Sequence, residues 1–242
     1  MAENTTVIVI PTYNESENIT PLLTEIHSVV PDADVLVVDD NSPDGTARIV
    51  TELGDKDARI RLLSRAGKLG LGTAYVAGFR ECLKRGYTVL CQMDCDFSHQ
   101  PRYLADFLRE IQTYDVVLGS RYISGGGTED WSLKRKVLSV GVNTYARLIL
   151  GLPFADLTGG FKCWRRVVLE AIDLDTVRAE GYAFQMEMTF RAYRRGFRIR
   201  EIPIIFPDRT QGTSKLGQGI FWESLAMPWR LRFRQKPAKP QS

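Results

Sequence analysis

Short apolar, β-branched runs recur along the chain, and the stretches between them space their apolar residues as a helix does. Residues 6–10, 34–38, 60–63, 87–90 and 114–122 predict strands. The first run breaks at Pro11-Thr12-Tyr13-Asn14-Glu15, where Asn14 or Ser16 is placed to cap a helix reaching about Val29. Residues 46–53 predict a second helix. The Gly67/Gly70/Gly72 stretch leads into a third that ends near Gly86, and Pro101 opens a fourth that runs to about Gln112. Strand-helix-strand order predicts right-handed parallel units. The strands are continuously apolar, which predicts a sheet covered on both faces. The fold class expected is α/β: an open, mainly parallel, twisted sheet with helices on both faces.

Beyond residue 122 the pattern is less regular. Residues 125–131, with three glycines in a row, predict a mobile loop. Residues 133–150 predict a helix with a basic start, Lys134-Arg135-Lys136. Residues 156–162 form a polar, glycine-bearing segment with a strand-like continuation. A helix over 182–195 and a strand over 199–206 follow, then a basic loop at 209–215. Residues 216–236 mix Trp222, Trp229 and Phe233 with Arg230, Arg232 and Arg234. They form either an ordinary terminal helix or an amphipathic segment at a bilayer surface, and we favour the second. Residues 237–242 are expected to be disordered.

Composition changes this picture little. The 242 residues are 44% hydrophobic and 25% charged, with a net charge of +3, too small to suggest nucleic acid. No pair of the four cysteines, Cys82, Cys91, Cys95 and Cys163, has zinc-ligand spacing, so all four are expected to be structural thiols in a reducing compartment. No leader peptide is expected at the N-terminus. No apolar run approaches the ~18 residues of a membrane-spanning helix.

The chemistry is expected at Met93-Asp94-Cys95-Asp96. Two aspartates follow the 87–90 strand at its carboxyl end, where open α/β sheets bind ligands. Strand alternation would aim Asp94 and Asp96 to one side and Cys95 to the other. Paired carboxylates repel unless a cation joins them, and Mg2+ or Mn2+ prefers oxygen ligands shared with phosphates. Neither GxGxxG nor GxxxxGK[ST] occurs, so a nucleotide would be held without a glycine-rich phosphate turn. Asp39 reads equally as a turn or capping residue. Asp44 reads as shaping the Ser-Pro-Asp-Gly turn, and His99 as a loop residue.

Pro11-Thr12-Tyr13-Asn14-Glu15, Val38 to Thr46, Met93 to Asp96, Gly119-Ser120-Arg121-Tyr122 and the Arg209–Lys215 stretch form an ordered series. The series resembles family 2 glycosyltransferases of GT-A fold, most of all the polyprenol-phosphate (dolichol-phosphate) mannosyltransferases. The resemblance covers nearly the whole chain. It implies one GT-A domain over 1–215, with a nucleotide-binding half to 122 and an acceptor-binding half over 123–215. It implies GDP-mannose as donor and a polyprenyl monophosphate as acceptor. Pro11, Tyr13, Glu15, Val38 and Asp40 would hold the nucleoside. Asp94 and Asp96 would hold the metal, with Cys95 between them beside the donor. Some relatives add a glutamine where Ser98 stands, a weaker ligand. Arg121, Arg209 and Lys215 would contact phosphates, Arg135 and Ser139 would hold the acceptor phosphate, and Asp96 and Arg121 would be catalytic. Gln185 and Glu187 are further candidates for contact with sugar or acceptor.

The physics of the reaction agrees with these residue types. Breaking a sugar-diphosphate bond builds negative charge that a divalent ion, arginine and lysine offset. A phosphate monoester, with a second pKa of about 6, attacks without a carboxylate base. The outcome expected is inversion, giving a β-linked mannosyl lipid. The rivals are the same fold using UDP-glucose, a sugar-nucleotide-forming nucleotidyltransferase, and a non-catalytic scaffold. The location expected is the cytoplasmic face of a membrane, held peripherally, with room for a separate membrane-anchoring subunit.

Overall fold

The computed structural model describes residues 5–177, 179–208 and 226–233. Seven strands form one sheet in the order β3-β2-β1-β4-β7-β5-β8. They are β1 (Thr6–Thr12), β2 (Asp34–Asp39), β3 (Ile60–Ser64), β4 (Val89–Gln92), β5 (Val116–Ser120), β7 (Lys162–Arg165) and β8 (Ile199–Pro203). All pairings are parallel except those of β7, which runs antiparallel to both β4 and β5. A two-stranded ladder joins β6 (Gly127–Thr128) to β9 (Ile205–Phe206).

Alternation along the strands sorts the core into two layers. Ile8, Ile10, Val35 and Val37 pack on one face with α1 (Ile19–Val29), α2 (Thr46–Gly54) and α4 (Leu104–Glu110). Val7, Val9, Leu36 and Val38 pack on the other with α3 (Leu71–Lys84), α5 (Leu133–Leu150), α6 (Arg166–Ala171) and α7 (Gly181–Arg194). α7 is buried continuously from Ala183 to Ala192, polar residues included.

Four expectations change. α1 starts at Ile19 with Asn18 at its cap. Asn14 sits at φ +60 in the left-handed region, where it cannot begin a helix, and Ser16 is tied to Asp44 through its main chain. The expected 199–206 strand splits at Ile204, because β9 leaves the main sheet to pair β6. That pairing also ties down the 125–131 segment: Gly127 N donates to Ile204 O and Glu129 N to Phe206 O, and Trp131 is buried. This segment is therefore not the mobile loop its glycines suggest. Finally, β7 inserts between β4 and β5, so strands from both sides of residue 122 complete one sheet.

α3 lies close on the sheet because Gly78 has no side chain. A Cβ there would stand 2.5 Å from Val9 Cγ1 and 3.0 Å from Val38 Cγ2, both core atoms of the strands beneath. Gly78→Ala should therefore destabilise the fold by about 1–3 kcal/mol through overpacking, despite alanine's better helix propensity. A lower urea midpoint at unchanged m-value is the expected result. An unchanged or higher midpoint would mean that α3 does not rest on β1 and β2.

Candidate active site

β1 pairs with β2 on one side and β4 on the other, so the chain changes winding direction between β1 and β4. Crevices at the carboxyl ends of such a pair are where open α/β sheets bind ligands. Asp94 and Asp96 stand there, beside the 11–15 loop.

The strand itself ends at Gln92, so Asp94 to His99 form a bend rather than a continued strand. Simple alternation therefore fails: Asp94 is partly exposed, while Asp96 and Cys95 are both buried. Each carboxylate is held. The Tyr75 hydroxyl donates to Asp94 Oδ1 at 2.8 Å from α3, and its ring stacks on Phe184 of α7. Burial, then the Asp94 charge, pushes the Tyr75 phenol well up, so it remains a donor. The Asp94 main-chain N–H donates to His99 Nδ1 at 2.8 Å, and the buried His99 ring stacks on Phe161. His99 is a loop residue, as read, but one that shapes the bend. Ser98 donates both its N–H and its hydroxyl to Asp96 Oδ1. Ser98 thus orients Asp96. Cys95 lies in the apolar layer with Met93, and burial pushes its thiol up, so it offers a ligand no side-chain charge.

On the β2 side, Pro11 pairs with Val38 and Thr12 with Asp39 at the ends of β1 and β2. Asp39 is fully buried and accepts from Thr12, from the Ser42 N–H and from the Ser42 hydroxyl, so it is a turn residue. Asp44 accepts from Thr46 N and from Ser16 N, and so shapes its turn and ties it to the 13–16 loop. Glu15 N donates to Thr46 Oγ1, which joins the same two loops. Val38 offers only its main chain, because its side chain packs under Gly78. Asp40 accepts from Leu69 N and faces Arg65 Nε at 3.2 Å; burial, opposed by Arg65, raises its pKa. Lys68 stands 4.1 Å from the centre of the Tyr13 ring. The 65–70 loop thus covers Tyr13 and Asp40, and neither Arg65 nor Lys68 was singled out from sequence. The loop's glycines were the visible signal. Glu180 receives Gly72 N at 2.9 Å and supplies negative charge at the amino end of α3, where the first turn has none.

On the other side of β4, Arg121 meets a buried carboxylate. Its Nε and Nη2 bond the two Asp156 oxygens at 2.6 and 2.7 Å, Nη2 also reaches Thr158, and its N–H bonds Asp156 as well. The side chains are 4% and 0% exposed. Burial pushes the Asp156 carboxyl up, but the Arg121 charge and hydrogen bonds outweigh it and hold the group below the usual carboxylate range. Tyr122, Trp131 and Phe206 surround the guanidinium. Arg135 lies 3.8 Å from the Trp131 ring centre and pairs with Asp208, and Tyr122 donates to Ser139 Oγ at 2.6 Å. Arg121, Arg135 and Ser139 are therefore gathered around Tyr122 and Trp131, as one group. Arg209 and Lys215 lie outside the described residues.

Beneath the carboxylates runs a buried polar chain. Gln92 donates to Gly160 O and to Gln185 Oε1, and accepts from Trp164 Nε1. Lys162, fully buried on β7, donates to Gln185 O and Thr189 Oγ1. Burial lowers its pKa to about 7. Gln185 faces this network and Gly160, next to His99. Glu187 is instead committed to Arg191 and to Ala179 N, so it braces α7.

A family model described as glycosyl transferase family 2 matches residues 7–173, most of the chain. The chain belongs to that family. Among curated relatives, the undecaprenyl-phosphate mannosyltransferase of Micrococcus luteus is 46% identical over 90% of this chain and 89% of its own length. The polyprenol monophosphomannose synthase of Mycolicibacterium smegmatis is 42% identical over 97% and 90%. Solved structures share the fold at 18% identity. Glucosyl-3-phosphoglycerate synthase from Mycobacterium tuberculosis, in complex with Mn2+, UDP and phosphoglyceric acid, gives a TM-score of 0.69 over 96% of this chain and 80% of that one. A Pyrobaculum calidifontis mannosyltransferase in complex with GDP-Man and Mn2+ gives 0.63 over 97% and 66%. The expected family and the α/β, GT-A-like fold are both borne out.

The donor set fits a hard divalent ion that is completed by substrate. Asp94 and Asp96 are oxygen donors held in place from behind by Tyr75 and Ser98. Among the described residues no group of three His, Cys, Asp or Glu side chains converges to hold a metal alone. Two carboxylates, with diphosphate oxygens and water filling the remaining positions, is a common Mg2+ arrangement.

Arg121→Met should cost about 3–5 kcal/mol at neutral pH by leaving Asp156 buried without its partner. The Asp156 pKa is depressed in the fold, so the wild-type advantage is present above the ordinary carboxylate value of about 4 and shrinks as pH falls below it. Denaturation midpoints across pH read this directly, and a pH-independent gap would overturn the assignment. Lys162 shifts the other way. Its native pKa, about 7 against 10.5 unfolded, means that the unfolded chain binds more protons between those values, so stability gains with pH across that window. Lys162→Met should remove this gain, and an identical pH slope in the variant would sink the reading.

Proposed function

We propose that this enzyme transfers mannose from GDP-mannose to a polyprenyl monophosphate with inversion, giving a polyprenyl-phosphate β-mannose. The observation that carries the reading is the division of charge around the β1/β4 crevice. Asp94 and Asp96 lie on its floor, while the far side is an α5 that starts Lys134-Arg135-Lys136 and has no acidic residue over its whole length. The curated relatives at 42–46% identity, named for polyprenyl mannosyl transfer, support the same substrates.

On this reading the 11–15 loop, Asp40 and the 65–70 loop hold the nucleoside. Asp94 and Asp96 hold Mg2+ or Mn2+, which when bound offsets the charge that gathers on the departing diphosphate. The acceptor phosphate arrives already ionised at neutral pH, so it needs cations to place it rather than a base to deprotonate it. Arg135 and Ser139 stand on the α5 side of the site for that task, with Arg121 fixing the Tyr122 and Trp131 surfaces between them. A phosphate oxygen forms the new bond to the anomeric carbon as the bond to the GDP oxygen breaks, and attack opposite the leaving group inverts the centre. The lipid acceptor puts the working enzyme at a membrane surface, which we assign to the cytoplasmic side.

The test is a transfer assay in detergent with radiolabelled GDP-mannose, Mg2+ or Mn2+ and a polyprenyl phosphate. Label should enter the organic phase, disappear with EDTA, and fall at least about a hundredfold in Asp96→Ala. Label from UDP-glucose alone would overturn the donor, and label on soluble sugars alone would overturn the acceptor.

A further inference from the structure

Glu180 caps a helix that is not its own. Its main-chain O accepts from Ala183 N at 3.1 Å and from Phe184 N at 3.3 Å, so it opens α7. Its carboxylate makes no cap to that helix. It turns to α3 instead, where Gly72 N donates to Oε2 at 2.9 Å across 108 residues of sequence. α3 has no cap of its own: Gly70 offers no side chain, and the first turn holds no acid. The approach is close. A Cβ on Gly70 would stand 2.4 Å from Glu180 Oε2, and one on Gly72 would stand 2.5 Å from Ala179 O. Gly70 also sits at φ +103, a conformation that glycine adopts without strain.

Both helices have their amino ends at the ligand edge, because α3 leaves the carboxyl end of β3 and α7 leads into the amino end of β8. Two acids of the crevice depend on the first turns of α3. Arg65 reaches Asp40 Oδ1 with Nε at 3.2 Å and Thr73 Oγ1 with Nη2 at 2.7 Å. Thr73 donates to Leu69 O, and Leu69 N donates to Asp40 Oδ2. Two residues further on, Tyr75 donates to Asp94 Oδ1. The Tyr75 ring lies on Phe184 of α7, 5.9 Å between centres and 3° from parallel. Asp40 follows β2 and Asp94 follows β4, with β1 between those strands. The amino end of α3 is what joins the two acids, and α7 holds that end from behind. A cap drawn from within α3 would only stabilise the helix. One drawn from α7 also fixes where the helix begins relative to the crevice.

We propose that Glu180 is a positioning residue for the donor site: by holding the amino end of α3, it sets Asp40 and Asp94 at the spacing that a nucleoside diphosphate with its divalent ion spans, without touching that ligand. The inference rests on the crevice taking a nucleotide with a divalent ion, as proposed above, and not on which base or sugar is bound.

Calorimetric titration of the full chain with GDP, in Mn2+ and separately in EDTA, tests it, together with donor and acceptor kinetics and urea unfolding. Glu180→Ala should weaken GDP binding in Mn2+ at least about tenfold, and binding in EDTA in the same direction. The donor KM should rise to match, while kcat and the acceptor KM stay within about twofold. Glu180→Gln, whose amide oxygen still accepts from Gly72 N, should stay within about threefold of the wild type. Tyr75→Phe should lose only the Mn2+-dependent part, because its hydroxyl reaches Asp94 and not Asp40. A lower unfolding midpoint in Glu180→Ala with GDP binding unchanged would make Glu180 a stabilising cap and overturn the proposal. A fall in kcat at unchanged donor KM would overturn it as well. Wild-type protein that takes UDP but not GDP would overturn the donor proposed above, and the same variant ratios read with UDP then decide this inference. Wild-type protein that takes neither would overturn the nucleotide site and this inference together.

Discussion

The Arg121–Asp156 pair is the point on which the second half of the molecule hangs. Asp156 takes three hydrogen bonds from Arg121 and one from Gly159. The guanidinium in turn packs against Tyr122, Trp131 and Phe206. One ion pair thereby fixes the end of β5, the segment leading into β7, and the small β6–β9 ladder. Asn143 extends the lock to α5, donating to Thr158 and accepting from Leu157 N and Thr158 N. A buried pair of this kind adds little net stability relative to apolar residues, yet it penalises every arrangement in which either charge loses the other. Its use here is registration: it sets where the basic end of α5 stands relative to the carboxylates.

The reversed strand β7 has a comparable effect on the floor of the site. A parallel strand between β4 and β5 would send its carboxyl end to the ligand edge. β7 instead enters from that edge, bringing Gly160 and Phe161 beside His99. It also delivers Lys162 to a fully buried position under Gln185, where its side-chain nitrogen donates to Gln185 O. The buried polar faces of α7 follow from this. Gln185, Glu187, Thr189 and Arg191 are inside the fold because Gln92, Lys162 and the 173–179 segment supply their partners.

Much of this was legible in the residues. The five parallel strands of the regular half, the two apolar layers, the ligand edge and the Asp94/Asp96 carboxylates followed from periodicity and from where strands end. Those are properties of neighbours two to four residues apart. Asp44 was read correctly as shaping its turn, and His99 as lying in a loop, because turn chemistry is equally local. The ordered motifs gave the family because spacing over the whole chain carries more than any one motif.

The tertiary structure decided what depends on distant partners. Arg121 lies 35 residues from Asp156, and nothing in Gly-Ser-Arg-Tyr says that its fork is occupied. The bend after Gln92, which buries Asp96 with Cys95 rather than opposing them, comes from Ser98 and His99 folding back. Strand reversal at β7, the tying of 125–131 by β9, and the roles of Tyr75, Arg65 and Glu180 all depend on strand order and helix placement. The α5 helix was legible from sequence, but only packing showed that the core claims Asn143, Ala146 and Leu150. Short-range pattern fixes the kind of element and its apolar positions; which charge meets which, and which face is left over, is settled when the sheet order brings remote segments together.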